Sequence, residues 1–96
     1  MQVSWDKEFE LQKSQSAWLD GVRVTFLGIR ISPMQRLPNG IEIFPKAFYQ
    51  FRLERGNTSE DVELNNDDNK LERGGFSLLL AGTDDNSESV KLIFST

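Results

Sequence analysis

The sequence lacks two residue types on which most catalytic and metal sites depend, since its 96 residues include no cysteine and no histidine. Without cysteine the chain can form no disulfide, no thiolate zinc site and no redox thiol pair. Without histidine it lacks the commonest general base and the only side chain that ordinarily titrates near neutral pH. Nucleophiles activated by histidine are therefore excluded. We predict a protein that is not an enzyme and has no catalytic residues, no cofactor and no metal site.

Long apolar segments are also missing, because no stretch approaches the roughly 18 apolar residues of a membrane-spanning helix. The first ten residues, MQVSWDKEFE, contain no basic region followed by an apolar run, so they do not resemble a signal peptide. We therefore expect a soluble protein without a membrane span. We expect it to be cytoplasmic if Met1 is the native start, and periplasmic or in the cell envelope if a leader was removed.

No long segment repeats its apolar residues at the three- and four-residue spacing of an amphipathic helix, whereas alternation of apolar and polar residues is widespread. The alternation predicts about seven strands, separated by polar turns roughly every 8–12 residues. This spacing is typical of an antiparallel β-sandwich or a small barrel. We predict an all-β fold with one domain over residues 1–96. The predicted strands lie near residues 7–13, 22–32, 41–43, 47–54, 62–64, 76–81 and 90–94.

The segment VRVTFLGIRIS, residues 22–32, is the longest predicted strand and contains a change of phase. Its apolar residues alternate up to Phe26 and resume at Ile29, after a slip of one residue. A strand keeps its core face through such a slip by means of a β-bulge, and Gly28 suits the unusual backbone angles of a bulge. We predict a bulge at Gly28 and burial of Val24, Phe26, Ile29 and Ile31.

Several segments occur in the order found in one group of bacterial proteins. They are FELQKSQSAWLDGVRVTFLGI (9–29), YQFRL (49–53), VELN (62–65) and GGFSLLL (74–80). This series resembles small bacterial exported or lipoprotein β-sandwich domains of unknown function. Members of that group often carry a cysteine pair around an Arg-Cys-Pro stretch after the second strand, where this chain has SPMQRLPNG without cysteine. The resemblance implies the sandwich fold and no particular activity.

Charge is unevenly distributed along the chain, whose net charge is −4. Residues 1–55 hold eight basic and six acidic residues, a balance of +2, whereas residues 56–96 hold three and nine, a balance of −6. Phosphate recognition requires clustered Lys and Arg, so nucleic acid is not an expected partner. The acidic half is a solvated surface or a docking face for a basic protein. The residues of the possible docking face are Asp67, Asp68, Asp84 and Asp85.

The same four aspartates could also supply oxygen ligands for calcium if their loops converge, because Ca²⁺ accepts six to eight oxygens in flexible geometry. Asn65, Asp67 and Asn69 have the spacing that begins an EF-hand loop, but Lys70 stands where that loop needs glycine. The EF-hand is therefore rejected. Turns built from Asn and Asp explain these residues without a metal.

The candidate binding surface combines aromatic, Met and Arg residues that lie outside the predicted strand alternation. Aromatic and Arg residues are enriched at recognition surfaces, and Met adapts to different partners. Each of these residues could instead cover one end of the core. The leading hypothesis is a non-enzymatic domain that binds a protein partner. The alternatives are a phage- or toxin-linked inhibitor or immunity protein with an acidic docking face and, more distantly, a calcium-dependent carbohydrate- or envelope-binding module. The candidate residues are Trp18, Met34, Arg36, Leu37, Phe44 and Phe48.

Overall fold

A computed structural model describes every residue from Met1 to Thr96. Strands make up 62% of the chain and no helix is present. The predicted all-β class is confirmed. In chain order the strands are β1 Glu8–Gln12, β2 Ser16–Leu19, β3 Val22–Ile31, β4 Gln35–Arg36, β5 Glu42–Ile43, β6 Ala47–Arg55, β7 Thr58–Leu64, β8 Lys70–Arg73, β9 Phe76–Asp84 and β10 Ser89–Ser95.

The strands form two open four-stranded sheets and one two-stranded hairpin. One sheet has the order β2-β3-β6-β7, the other has the order β1-β10-β9-β8, and β4 pairs only with β5. All of these pairings are antiparallel, and neither large sheet closes on itself. The strand count is ten rather than about seven, because β2, β4 and β8 are too short to show a clear alternation. Trp18, which lies outside the predicted strands, belongs to β2.

The two large sheets share one apolar core, because alternate residues of their strands point inward. In β1, for example, Phe9 and Leu11 are buried whereas Glu8 and Glu10 are exposed. Phe94 is in contact with Phe9, whose ring centroid lies 5.6 Å away. The 17 buried core residues are Phe9, Leu11, Ala17, Leu19, Val22, Val24, Phe26, Tyr49, Phe51, Leu53, Leu64, Phe76, Leu78, Leu80, Val90, Leu92 and Phe94.

The predicted bulge is confirmed in β3, where the register with β6 shifts between Phe26 and Gly28. Gly28 has a φ of +135°, a conformation that residues with side chains rarely adopt. The burial prediction holds only in part. Val24 and Phe26 are buried and Ile29 is half-buried, but Ile31 is 58% exposed. Ile31 lies beyond the last layer of the core, which is formed where Ile29 is opposite Tyr49.

The β3–β6 pair has two ends, and the molecule measures 49 Å along its longest axis. Val22 is opposite Arg55 at one end, and Ile31 is opposite Ala47 at the other. At the first end, Asp20 and Gly21 have φ values of +48° and +79°, so they form a tight turn between β2 and β3. The structure contains no helix long and apolar enough to cross a membrane.

Candidate binding surfaces at the two ends of the molecule

The exposed apolar side chains are concentrated in residues 31–44, which we call the arm. Six of the eight large apolar residues that lie exposed in the molecule belong to it. Phe44 is the most exposed of them, at 71%. Exposed apolar residues concentrated in one segment are typical of interaction sites, whereas single ones scattered over a surface are ordinary. The six residues are Ile31, Met34, Leu37, Ile41, Ile43 and Phe44.

The arm is a hairpin held together by its own short-range bonds. The Leu37 N–H donates to the Ile41 carbonyl at 2.8 Å, and the Gly40 N–H donates to the Leu37 carbonyl at 3.0 Å. Across the hairpin, Arg36 forms an ion pair with Glu42 at 2.6 Å. None of the buried core residues belongs to the arm. The arm therefore has a defined shape without contributing to the core.

Next to the arm, the outer edge of β3 has no neighbouring strand. β2 pairs with β3 only as far as Thr25, and the Phe26 N–H donates to the Gln15 carbonyl just beyond. The Ser32 N–H points to β6, where it donates to the Lys46 carbonyl at 2.9 Å. Because backbone groups alternate in direction along a strand, the N–H and C=O groups of Ile29 and Ile31 point to the open side. These groups are free to pair with another strand.

The predicted binding residues do not form one surface. Met34, Arg36, Leu37 and Phe44 lie in the arm, and all four are exposed. Phe48 lies at the base of the arm, half-buried under two cations. Trp18 is 44% exposed but lies near the other end, opposite Arg23 on the edge strand β2.

An ion pair and a cation–π contact fix the surface at the base of the arm. The Arg30 guanidinium forms two hydrogen bonds to the Glu63 carboxylate, at 2.9 and 3.2 Å. It also lies over the Phe48 ring, 4.3 Å from the centroid. The hydrogen bonds from Arg30 lower the pKa of Glu63 below its ordinary value. These contacts connect β3, β6 and β7 on the outer face where the arm begins.

The four aspartates of the predicted acidic face lie in or next to two loops at the arm end, with Asp84 as the last residue of β9, and three of them have partners within the chain. Asp67 forms an ion pair with Lys46 at 2.7 Å. Asp85 accepts a hydrogen bond from the Tyr49 hydroxyl at 2.7 Å, and Asp84 accepts the backbone N–H groups of residues 86 and 87. Asp68 is exposed. No group of three or more acidic side chains is arranged so that it can hold a metal ion.

Tyr49 connects the core to the loop between β9 and β10 through its hydroxyl. Its ring is 1% exposed, and its hydroxyl reaches Asp85. Burial raises the pKa of the Tyr49 phenol above its ordinary value, and the adjacent Asp85 carboxylate contributes in the same direction. The phenol is therefore held as a hydrogen-bond donor that anchors the β9–β10 loop.

The opposite end of the molecule contains a cleft of about 360 Å³ between the edges of the two large sheets. We call it the cleft. Its floor is apolar and belongs to the core, and its rim carries two arginines. The sequence reasoning missed this site, because its residues come from strands far apart in the chain and form no motif. Its lining residues are Val22, Leu53, Arg55, Thr58, Ser59, Glu60, Arg73, Gly74 and Phe76.

Comparisons with family models, with curated proteins and with solved structures found no match to this chain. The predicted resemblance to small exported or lipoprotein domains therefore stays a prediction. Function has to be inferred from the two ends of the molecule: the arm with the open edge of β3, and the cleft.

Proposed function

We propose that this chain is a non-enzymatic binding domain, a β-sandwich that presents its arm and the open edge of β3 to a protein partner. The observation that carries the proposal is the concentration of exposed apolar side chains in the arm. Six of the eight large apolar residues that are exposed in the molecule lie in this one segment, and such concentration is typical of interaction sites on soluble proteins. The arm does not contribute to the core, so its apolar residues have no role in folding that would explain them.

The open edge of β3 indicates the kind of partner segment that fits. The unpaired backbone groups of Ile29 and Ile31 suit an extended segment that adds a strand to the sheet. Such a segment would lie beside the arm, whose exposed residues include Ile43 and Phe44. We therefore propose an extended partner segment with apolar side chains. Backbone hydrogen bonds would contribute affinity, and the arm would contribute specificity.

Charge has a small role in this proposal, because the basic side chains at the arm end are already paired. Arg30 is paired with Glu63, Arg36 with Glu42, and Lys46 with an aspartate of the β7–β8 loop. Recognition then rests on apolar burial and backbone pairing, which salt screens weakly. We expect the affinity to change little with ionic strength.

The alternative of an inhibitor or immunity protein with an acidic docking face has less support. Asp67 is paired with Lys46, and Asp84 and Asp85 accept hydrogen bonds that hold their carboxylates within their own loop region, which leaves Asp68 as the one aspartate of the proposed face whose carboxylate has no hydrogen bond or ion pair inside the chain. The calcium-dependent alternative lacks a cluster of carboxylates. The two alternatives predict different responses to the medium, since binding by the first weakens as the salt concentration rises and binding by the second requires calcium.

The test is quantitative capture of partners from an extract of the source organism with three forms of the domain as bait. These are the wild type, the arm variant Ile43→Ser/Phe44→Ser, and the control Trp18→Ser. Trp18 is also an exposed apolar residue, but it lies outside the arm. We expect a partner that the wild type and the control retain across a salt series and that the arm variant loses. A partner retained by the arm variant, or lost with Trp18→Ser alone, contradicts the proposal.

A further inference from the structure

The cleft at the far end from the arm has the features of a small-ligand site. Its volume of about 360 Å³ lies within the range of roughly 300–1,000 Å³ that is usual for ligand pockets. It opens where the edge strand β7 of one sheet faces the edge strand β8 of the other. The two sheets therefore contribute opposite walls, and the core supplies an apolar floor of Val22, Leu53 and Phe76.

Arg55 is the polar group that gives the cleft a chemical preference. Its Nη1 donates to the Gly74 carbonyl at 2.6 Å, and its guanidinium carbon lies 5.6 Å from the centroid of the Phe76 ring. These two contacts fix the guanidinium at the rim. Its Nε and Nη2 donate no hydrogen bond, and no carboxylate lies within ion-pair distance. The free Nε–Nη2 edge is the planar fork that binds a carboxylate through two parallel hydrogen bonds.

The glycine turn beside Arg55 keeps this edge open. Gly75 has a φ of +92°, and a Cβ at that position would lie 3.4 Å from the Arg55 Nη2. A Cβ there would be in van der Waals contact with the guanidinium, and a side chain would strain the turn. Gly74 has nothing within 4 Å of the place where its Cβ would be, so the space above the turn is empty.

The net charge of the cleft selects between kinds of anion. Arg73, the second arginine of the rim, is neutralised by Glu60, whose carboxylate lies 2.6 Å from its Nε. One unpaired cation therefore remains, which matches a carboxylate monoanion better than a phosphate dianion. The apolar floor below it matches an apolar or aromatic group attached to that carboxylate.

We propose that the cleft binds a carboxylate attached to an apolar body, with the carboxylate on the free edge of Arg55 and the body over Val22, Leu53 and Phe76. The chemistry is that of a small apolar carboxylic acid and equally that of a polypeptide C-terminus ending in an apolar residue. The cleft shares no residue with the arm, so this proposal can be tested independently of the proposed protein binding.

The test is titration of the isotope-labelled protein with phenylpropanoate, followed by amide chemical shifts in NMR spectra. We expect saturable shifts at Ser59, Gly74 and Gly75 at millimolar probe concentrations, and none with phenylpropanamide, which has the same body without the charge. A short peptide ending in phenylalanine identifies the source of the ligand. Tighter binding of the peptide than of its C-terminally amidated form assigns a polypeptide C-terminus, whereas binding of the small acid alone assigns a free carboxylic acid.

Two variants establish the role of the guanidinium. Arg55→Met keeps the apolar stem and removes the charge, and we expect it to weaken phenylpropanoate binding by about tenfold or more. Arg23→Met is the matched control, because Arg23 also forms no ion pair but lies on the outer face of β3 away from the cleft. Equal binding of the acid and the amide, no shifts at all, or unchanged binding in Arg55→Met overturns the proposal. The comparison of acid with amide uses the wild type, so it decides the question even if Arg55→Met fails to fold.

Discussion

The two ends of the β3–β6 pair differ in where their apolar residues lie, although the same two strands form both. At the Val22–Arg55 end, the apolar residues Val22, Leu53 and Phe76 are buried in the core, Trp18 is the one large apolar residue of the strands left exposed, and the rim of the cleft is charged. At the Ile31–Ala47 end, the apolar residues extend past the core into the arm and remain in contact with solvent. The hydrophobic effect explains the first arrangement as a contribution to folding. The second contributes nothing comparable to folding, so its residues are better explained by a surface that another molecule covers.

The most direct test of this difference is to truncate one apolar residue at each end and compare the losses of stability. Leu53→Ala, at a position 4% exposed, should lower the free energy of unfolding by about 2–5 kcal/mol, because it removes buried surface and leaves a cavity. Phe44→Ala in the arm should change it by less than about 0.5 kcal/mol, since exposed positions contribute little. Urea denaturation measures both. Similar losses at the two positions would show that the arm belongs to the core after all.

The second prediction concerns the bulge, which divides the strand between the two ends. Gly28→Val should destabilise the fold by about 1–3 kcal/mol, because a β-branched residue is strained at a φ of +135°. The added Cβ would also meet the Lys13 side chain at 3.3 Å, which can move aside. Gly74→Ala is the control, since Gly74 is not in the left-handed region and has open space around it. An unchanged denaturation midpoint for Gly28→Val would show that the bulge tolerates a side chain.

The outcomes of the predictions made from the sequence show which structural features a local pattern can determine. The phase slip between Phe26 and Ile29 located the bulge, because core-facing alternation is a local property of one strand. The burial of Ile31 could not be predicted from the alternation in the same way. It depends on where the layer formed by Tyr49 ends, which is a property of several strands together.

The candidate sites show the same limit. Met34, Leu37 and Phe44 were identified as surface candidates because they lie outside the alternation, and the structure places them together in the arm. Trp18 had the same local signature but lies at the other end, because the turn at Asp20–Gly21 directs β2 back along β3. The cleft had no signal at all, since Arg55 and Phe76 meet only when the two sheets pack.

The third prediction tests the link between the core and the loops at the arm end. Tyr49→Phe should lower the free energy of unfolding by about 1 kcal/mol, because it removes the hydrogen bond that the buried hydroxyl donates to Asp85. Since folding raises the phenol pKa, the phenol stabilises the folded state below about pH 10, and this contribution is lost as the pH rises through the folded-state pKa. Tyr49 is the only tyrosine, so phenolate absorbance reports it alone. A phenol that titrates at its ordinary value would contradict this account.

The smallest expected effect concerns the ion pair at the base of the arm. Because Arg30 lowers the pKa of Glu63, the pair stabilises the folded state above about pH 4.3, and the contribution is lost as the pH falls through the folded-state pKa. Glu63→Gln should therefore be slightly less stable than the wild type at neutral pH and equal to it in acid. Glu10→Gln is the control, since Glu10 makes no ion pair and should show no such difference. If the difference in stability between Glu63→Gln and the wild type is the same at every pH, packing rather than charge is responsible for it.

Hydrogen–deuterium exchange of the domain, alone and with a partner captured through the wild-type bait, tests the central claim most directly. In the free domain the amides of Ile29 and Ile31 have no acceptor, so they should exchange quickly. In the complex we expect protection of these two amides and of the arm, with the cleft residues around Gly74 and the loop at Asp68 unchanged. Protection at the cleft or in the acidic loops, with the arm still exchanging freely, would contradict the assignment of protein binding to the arm end.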